Sequence, residues 1–162
     1  MNISIQLFEE ELKKALKARE ELKAGTLRML LSALHNAEKD KKYHAGLARK
    51  ATPEGEEGLS REEIESIVVS EAKKRRESIE AFEKAGRQEL AAKEKEELGV
   101  LLPFLPEQLS EQEIEALVKE AIASAGAATQ KDLGKVMAAL APKVKGRADG
   151  SLVSQKVKSL LS

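Results

Sequence analysis

The sequence predicts an all-α protein, an N-terminal bundle of about four helices hinged to a small C-terminal domain of three helices. Apolar residues recur at helical spacing along most of the 162 residues. Aromatic residues make up only 2% of the chain, so its core must consist of aliphatic side chains. Pro103 and Pro106 interrupt the pattern, because proline lacks the amide that a helix needs. We therefore divide the chain into residues 1–104 and 105–162.

The first two predicted helices lie on either side of Gly25. The first carries apolar residues from Phe8 to Leu22, opposite a face of lysine and glutamate. Glycine suits the end of a helix and threonine can cap the next, so we expect the break at Gly25 and Thr26. The second helix carries an apolar stripe that consists of Leu27, Leu30, Leu31, Leu34 and Ala37.

A predicted loop and the start of the third helix come next along the chain. The helical pattern lapses after Tyr43 among glycines and a proline, so we predict a loop near residues 44–58. Ser60 and Glu63 then have the spacing of a capping box, in which each side chain bonds the other residue's backbone amide. A long third helix should begin there.

The third and fourth helices complete the predicted bundle. Glu71 and Arg75 stand four residues apart in the third helix, so we expect a salt bridge between them. Gly86 suits the residue just beyond its end. A fourth helix then runs up to Pro103.

The C-terminal domain begins with a second capping box, formed by Ser110 and Glu113. Its first helix should end at Gly126, and we expect the second to stop at Pro142. Gly134 in the second helix costs helix propensity, and we expect a close helix contact to account for it. The third helix has apolar residues at Leu152, Val153, Val157, Leu160 and Leu161.

Composition argues against most catalytic chemistry. The chain has no cysteine, which excludes disulfides, thiolate zinc sites and a cysteine nucleophile, and which fits a reducing compartment. Its histidines, His35 and His44, lack the spacing of metal ligands, and its isolated glycines form no nucleotide-binding loop. The start lacks a basic leader with an apolar run, and no stretch approaches the roughly 18 apolar residues of a membrane span. We expect a soluble cytoplasmic protein with no metal, no cofactor and no membrane partner.

Positive charge collects at the end of the chain. The formal net charge is +0, yet residues 131–162 carry seven Lys/Arg against two Asp/Glu. Lys143, Lys145 and Arg147 lie beside the start of the last helix, where free amides favour anions, although Asp149 can cap the same amides. With few aromatic residues to stack on bases, contacts should go to the phosphate backbone. A second basic run, residues 73–76, is better explained by pairing with neighbouring glutamates.

Several motifs strongly resemble the GatB/YqeY family, most closely its free-standing YqeY-like members. The similar stretches include residues 105–110 with Glu113, residues 132–137, and residues 145–150 with Val153. The similarity extends upstream, where its residues are Arg28, Met29, Lys74, Arg75, Ser78, Phe82, residues 85–87 and Glu94. The resemblance covers nearly the whole chain and implies an all-helical fold of two parts.

The resemblance also implies a partner. A similar domain forms the tail of the B subunit of the glutamine-dependent aminoacyl-tRNA amidotransferase and is appended to some glutaminyl-tRNA synthetases, where it helps to hold tRNA. The family carries the label of carbon-nitrogen ligase with glutamine as amido-N-donor. In the amidotransferase, however, the ATP-dependent chemistry belongs to a large preceding domain and the glutaminase serine and lysine to another subunit. Neither catalytic part has a match in this sequence.

We therefore expect a tRNA-associated binding module of translation that has no catalysis of its own. One alternative is a component of an amidotransferase-like carbon-nitrogen ligase, and another is a protein-interaction adaptor. The expected partners are tRNA and an aminoacyl-tRNA amidotransferase or synthetase, with no DNA. No catalytic or metal-binding residue is predicted, and the predicted RNA-binding residues are Lys143, Lys145, Arg147 and Lys135.

Overall fold

The computed structural model describes residues 3–47 and 58–161, and this part of the chain contains seven α-helices and no strand. The predicted all-α class is confirmed. The helices are α1 (Ile5–Lys17), α2 (Glu21–Leu47), α3 (Arg61–Lys84), α4 (Gln88–Leu101), α5 (Glu111–Ala125), α6 (Leu133–Val144) and α7 (Gly150–Leu160). Contacts divide the chain into two compact units, which are unit 1 (Met1–Phe104) and unit 2 (Leu105–Ser162).

The expected break at Gly25 and Thr26 is wrong, because both residues lie inside α2. Helix α1 ends earlier, at Lys17, and the chain reverses before Glu21. Ala24 and Thr26 are buried beside the leucine stripe of α2, and the Thr26 hydroxyl donates to the Leu22 carbonyl at 3.0 Å. The packed face therefore keeps this segment helical, although glycine costs helix propensity.

The predicted loop near residues 44–58 also begins too early. Helix α2 continues through Tyr43 and residues 44–46 to Leu47, and residues 48–57 lie outside the described part of the chain. At the other end, Lys41 Nζ donates to the Gly58 carbonyl at 2.9 Å and to Glu63 at 2.8 Å. These bonds tie α2 to the start of α3.

The predicted capping box at the start of α3 is confirmed, and so is the prediction that Gly86 follows the end of this helix. Glu63 N donates to the Ser60 hydroxyl at 3.2 Å, and Ser60 N donates to the Glu63 carboxylate at 2.6 Å. Gly86 has a φ of 70°, in the left-handed region that favours glycine. Arg87 N bonds the Phe82 carbonyl across that turn, which completes a Schellman ending.

The core of unit 1 takes residues from all four of its helices. Phe8 of α1 is fully buried and contacts the ring of Phe104 edge-on, with ring centroids 5.0 Å apart. Phe104 ends the 3-10 turn Leu102–Phe104, where Pro103 stops α4 as the sequence predicts. The other buried core residues include Leu27, Leu30, Leu34, Ile64, Val68, Ala72, Ala91 and Leu101.

The expected Glu71–Arg75 salt bridge is wrong, because Arg75 pairs with the neighbouring helix. Its Nε lies 2.9 Å from a Glu97 carboxylate oxygen and 3.6 Å from one of Glu94. Glu71 instead pairs with Lys74 at 2.6 Å. Helices α3 and α4 pack against each other, so α4 presents its carboxylates to a guanidinium that is only 8% exposed.

In unit 2, three helices enclose one core. The Ser110–Glu113 capping box and the left-handed Gly126, with a φ of 59°, bound α5 as predicted. Each of α5, α6 and α7 buries one apolar stripe. The core consists of Ile114, Val118, Ala121, Val136, Leu140, Val144, Val153, Val157 and Leu161.

Two expectations for α6 are wrong. The helix does not stop at Pro142 but continues to Val144, whose side chain is buried four residues after Leu140. Proline removes one backbone hydrogen bond there, and burial of Val144 offsets that loss. No close helix contact explains Gly134, because a methyl group added to it would meet nothing within 4 Å.

Candidate nucleic-acid interface

The predicted RNA-binding residues lie on α6 and on the loop that follows it. Lys143 is in the last turn of α6, Lys145 comes directly after the helix, and Arg147 is in the loop before α7. Lys135 lies in the first turn, eight positions before Lys143, which is a rise of about 12 Å along a helix. The structure thus brings three of the four residues into one short segment, whereas Lys135 marks the other end of α6.

Hydrogen bonds fix the loop after α6 to the segment before α5. Leu109 N donates to the Arg147 carbonyl at 2.7 Å. The Gln108 side-chain amide donates to the carbonyls of Pro106 and Gly146, at 2.7 and 2.8 Å. Both segments, residues 105–110 and 145–150, belong to the stretches that carry the family resemblance. The residue pattern of these segments therefore has a structural explanation, because hydrogen bonds hold the two segments together.

Two of the predicted residues already have partners within unit 2. Lys143 Nζ forms a salt bridge with Glu120 at 2.8 Å. Arg147 Nε donates to the Glu107 carbonyl at 3.2 Å, so its side chain helps to hold the segment before α5. Lys145 is exposed and forms no salt bridge with any residue that the structure describes. Of the three clustered cations, Lys145 is the one most available to a phosphate.

The outer face of α6 is small and free of acidic residues. Its exposed residues include Gly134, Ala138, Ala139 and Pro142, and the helix sequence contains no Asp or Glu. Small side chains let another backbone approach closely. Lysines lie at both ends of this face, and Glu120, the one acidic side chain bonded to α6 itself among the described residues, is neutralised by its salt bridge with Lys143. We call the outer face of α6, together with Lys131, Lys135 and Lys145, the α6 surface.

The sequence analysis missed two residues of this region. Lys131 precedes Lys135 by four residues, is exposed and forms no salt bridge in the described ranges. The spacing of four residues between Lys131 and Lys135 is a signal in the sequence that could have identified Lys131. Gln108 was missed because its role depends on a carbonyl 38 residues away, which no local pattern reveals.

Acidic groups near the α6 surface are held by backbone amides. Amides of Ala128 and Thr129 donate to Asp132 at 3.1 and 3.2 Å and lower the pKa of its carboxyl, with a smaller contribution from Lys135. Asp149 accepts from Ser151 N at 2.7 Å and so caps α7, as predicted. The cap occupies an amide at the start of α7 that could otherwise bind a phosphate, so the lysines are the better phosphate contacts.

The other candidates from the sequence are accounted for elsewhere. In the basic run of α3, Lys73 pairs with Glu77 at 3.6 Å, Lys74 pairs with Glu71, and Arg75 is buried. His35 lies 3.6 Å from a Glu38 oxygen. Within residues 3–47 and 58–161, no three acidic or histidine side chains are grouped as a metal site would require. Over the same residues, no helix has the length and apolar character to cross a bilayer.

Fold and surface together define a small all-helical protein whose C-terminal three-helix unit displays lysines around α6. The sequence profile of the Yqey-like protein family matches residues 5–161, and the chain belongs to this family. It is also similar to altered inheritance of mitochondria protein 41, mitochondrial, of Pyrenophora tritici-repentis. The two are 27% identical over 163 residues, which cover 99% of this chain and 82% of that relative.

Proposed function

We propose that this chain is a tRNA-associated binding module without catalysis of its own, and that the α6 surface is its RNA contact. The observation that carries the proposal is that Lys131, Lys135 and Lys145 are exposed, form no salt bridge in the described part of the chain, and flank a face without acidic residues. The resemblance to the tail of the amidotransferase B subunit supports tRNA as the polyanion. A chain without cysteine is compatible with the cytoplasm, where we place this function.

The proposed mode of binding is contact with the RNA backbone. Lysine contacts a phosphate as a point charge, and small residues between the lysines let the sugar-phosphate chain approach the helix. Exposed aromatic residues for base stacking are missing from unit 2, since the sequence after Phe104 contains no Phe, Tyr or Trp. Affinity should therefore depend strongly on salt and weakly on base sequence.

Binding of a tRNA transcript at several salt concentrations tests this proposal. The double variant Lys135→Gln/Lys145→Gln removes two proposed phosphate contacts. Each lost contact should lower the slope of log K against log salt by roughly 0.9, so the slope should fall by about 1.8. Both side chains are exposed and off the apolar stripes, so circular dichroism should show an unchanged fold.

A matched control removes the same charge elsewhere in unit 2. Lys119 and Lys156 both pair with Glu115, at 2.6 and 3.2 Å. Lys119→Gln/Lys156→Gln should therefore leave the salt slope close to that of the wild type. If the two double variants lose affinity equally, net charge rather than the α6 surface accounts for binding, and the proposed contact is wrong.

The runner-up function is a component of an amidotransferase-like ligase, which the same family resemblance supports. The residue pattern of the chain offers no glutaminase or ATP-binding motif, so any such role would require other subunits. Affinity purification separates the two proposals. Enrichment of tRNA that persists after removal of protein partners supports the binding module, whereas ligase subunits that co-purify without RNA support the alternative.

A further inference from the structure

The turn between α1 and α2 has an arginine at a position where glycine is usual. Glu20 N donates to the Ala15 carbonyl at 2.9 Å, and Arg19 N donates to the Leu16 carbonyl at 3.2 Å. This is the hydrogen-bond pattern of a Schellman ending, which needs a left-handed residue at the position of Arg19. The φ of Arg19 is accordingly 58°. The local backbone therefore does not explain why an arginine is present.

The same chain uses glycine at the equivalent positions of two other helices. Gly86 follows α3 with a φ of 70°, and Gly126 follows α5 with a φ of 59°. Among the residues that the structure describes, Arg19 is the only residue other than glycine with a positive φ. A left-handed backbone is unfavourable for a residue with a Cβ and easy for glycine. Strain of this kind suggests that the side chain has a function.

Arg19 lines a cavity of about 460 Å³ that lies between the end of α1 and the start of α2 and is half open to solvent. Small-molecule sites typically have volumes of roughly 300–1,000 Å³. Ala15 and Ala24, both buried, contribute an apolar floor, and Leu16 contributes a wall that is 46% exposed. The cavity can therefore accommodate a compact group with an apolar or planar body.

The unbalanced charge at the edge of the cavity is positive. Arg19 and Arg28 both line it, and neither side chain has a salt bridge or hydrogen bond within the described ranges. Two glutamates also line it, but Glu20 is paired with Lys23 at 3.6 Å. Glu21 forms no salt bridge in the described ranges, so one carboxylate stands against the two guanidinium groups. The lining therefore keeps an excess of one positive charge, and both guanidinium groups lack a partner of their own.

We propose that this cavity is a binding site for a small organic phosphate of nucleotide size. Arg19 and Arg28 would hold the phosphate, because guanidinium groups bind phosphate oxygens through paired hydrogen bonds. The body of the ligand would lie against Leu16 and the alanine floor. The site lies within unit 1 and does not depend on the proposed tRNA contact of unit 2.

An NMR titration of the full-length, ¹⁵N-labelled protein with AMP, and separately with inorganic phosphate, tests this site. AMP should shift the amide signals of residues 15–28 along a saturable curve. Inorganic phosphate should shift the same signals with weaker affinity, because it makes no contact with the apolar floor. Equal affinities would contradict the assignment of that floor, and no saturable shift at millimolar AMP would overturn the site.

Substitutions separate a binding role of Arg19 from a structural one. Arg19→Gly should weaken AMP binding by about tenfold or more, since a charge-assisted hydrogen bond is lost. It should leave Tm unchanged or higher, because glycine relieves the backbone strain. Arg28→Gln should weaken binding similarly. A purely structural role predicts the reverse, a lower Tm with unchanged AMP binding.

Lys17→Gln is the matched control for charge. Lys17 is exposed in the last turn of α1 but does not line the cavity. Its loss should change AMP affinity by less than about twofold, as expected for a screened surface charge. Equal weakening by Lys17→Gln and Arg19→Gly would mean that AMP binds the basic surface in general, and the proposal would fail.

Discussion

Substitution of Arg75 by methionine should destabilise unit 1 more than any change to a surface ion pair. Methionine keeps much of the side-chain volume but removes the charge that faces Glu97 and Glu94. These two side chains are only 13% and 20% exposed, so water compensates them poorly. Loss of one partner of a buried ion pair typically costs about 3–5 kcal/mol. We expect the lower end, about 3 kcal/mol, because Nε of Arg75 is close to Glu97 without an aligned hydrogen bond.

Urea unfolding followed by far-ultraviolet circular dichroism measures this cost. Lys84→Met is a matched control, because Lys84 is 74% exposed and its pair with Glu80 is a surface contact, so it should cost under about 1 kcal/mol. Adding Glu97→Gln to Arg75→Met should recover part of the loss, since it removes a largely buried carboxylate that would otherwise keep only the distant Lys93, at 4.0 Å, as a partner among the described residues. If Arg75→Met costs no more than the control, the buried pair does not stabilise α3 against α4 and the reasoning is refuted.

Three further predictions concern glycine, pH and catalysis. Gly99→Ala within α4 should raise the free energy of unfolding by about 0.4–1 kcal/mol, because the added methyl group would meet no atom within 4 Å. Gly86→Ala should lower the free energy of unfolding, because Gly86 has a φ of 70°, which is unfavourable for alanine. Urea titrations that rank the two variants in the opposite order would contradict this. Hydrogen bonds from the Ser110 amide and hydroxyl lower the pKa of Glu113 below its ordinary 4.5. The ionised Glu113 carboxylate therefore stabilises the folded state above pH 4.5, and this stabilisation is lost as the pH falls through the lower pKa of the folded state. In thermal melts, the amount by which the Tm of the wild type exceeds that of Glu113→Gln should therefore shrink as the pH falls. A difference in Tm that grows in acid would contradict this direction. The purified chain should show neither glutaminase activity nor ATP-dependent amidation of misacylated tRNA. Either activity, if it persists after a second purification, would contradict the binding-module proposal.

Local signals predicted the fold class and most helix ends. Capping boxes at Ser60 and Ser110, and glycines at Gly86 and Gly126, act within a few residues, so the sequence displays them directly. The break at Gly25 was misplaced for the opposite reason. Burial of the α2 face by neighbouring helices keeps that glycine helical, while a left-handed arginine makes the actual turn.

Side-chain partners were harder to predict than helices. Arg75 has an acidic residue at helical spacing in its own helix but pairs with another helix, and Arg147 bonds a carbonyl 40 residues away. Lys143 looks free in a basic stretch, yet Glu120 lies 23 residues upstream and 2.8 Å away. Sequence analysis located the basic segment, but it could not tell which cations have partners inside the fold. Only Lys135 and Lys145 of the four predicted residues have neither a salt bridge nor a side-chain hydrogen bond in the described ranges.

The most direct test of the central claim is to sequence the RNA that crosslinks to the chain in cells. Wild-type protein and the Lys135→Gln/Lys145→Gln variant would be compared after ultraviolet crosslinking and stringent purification. We predict that tRNA is enriched with the wild type over total cellular RNA, and that the variant, expressed at the same level, loses most of this enrichment. Recovery of no more tRNA with the wild type than with the variant would contradict a tRNA-binding role of the α6 surface.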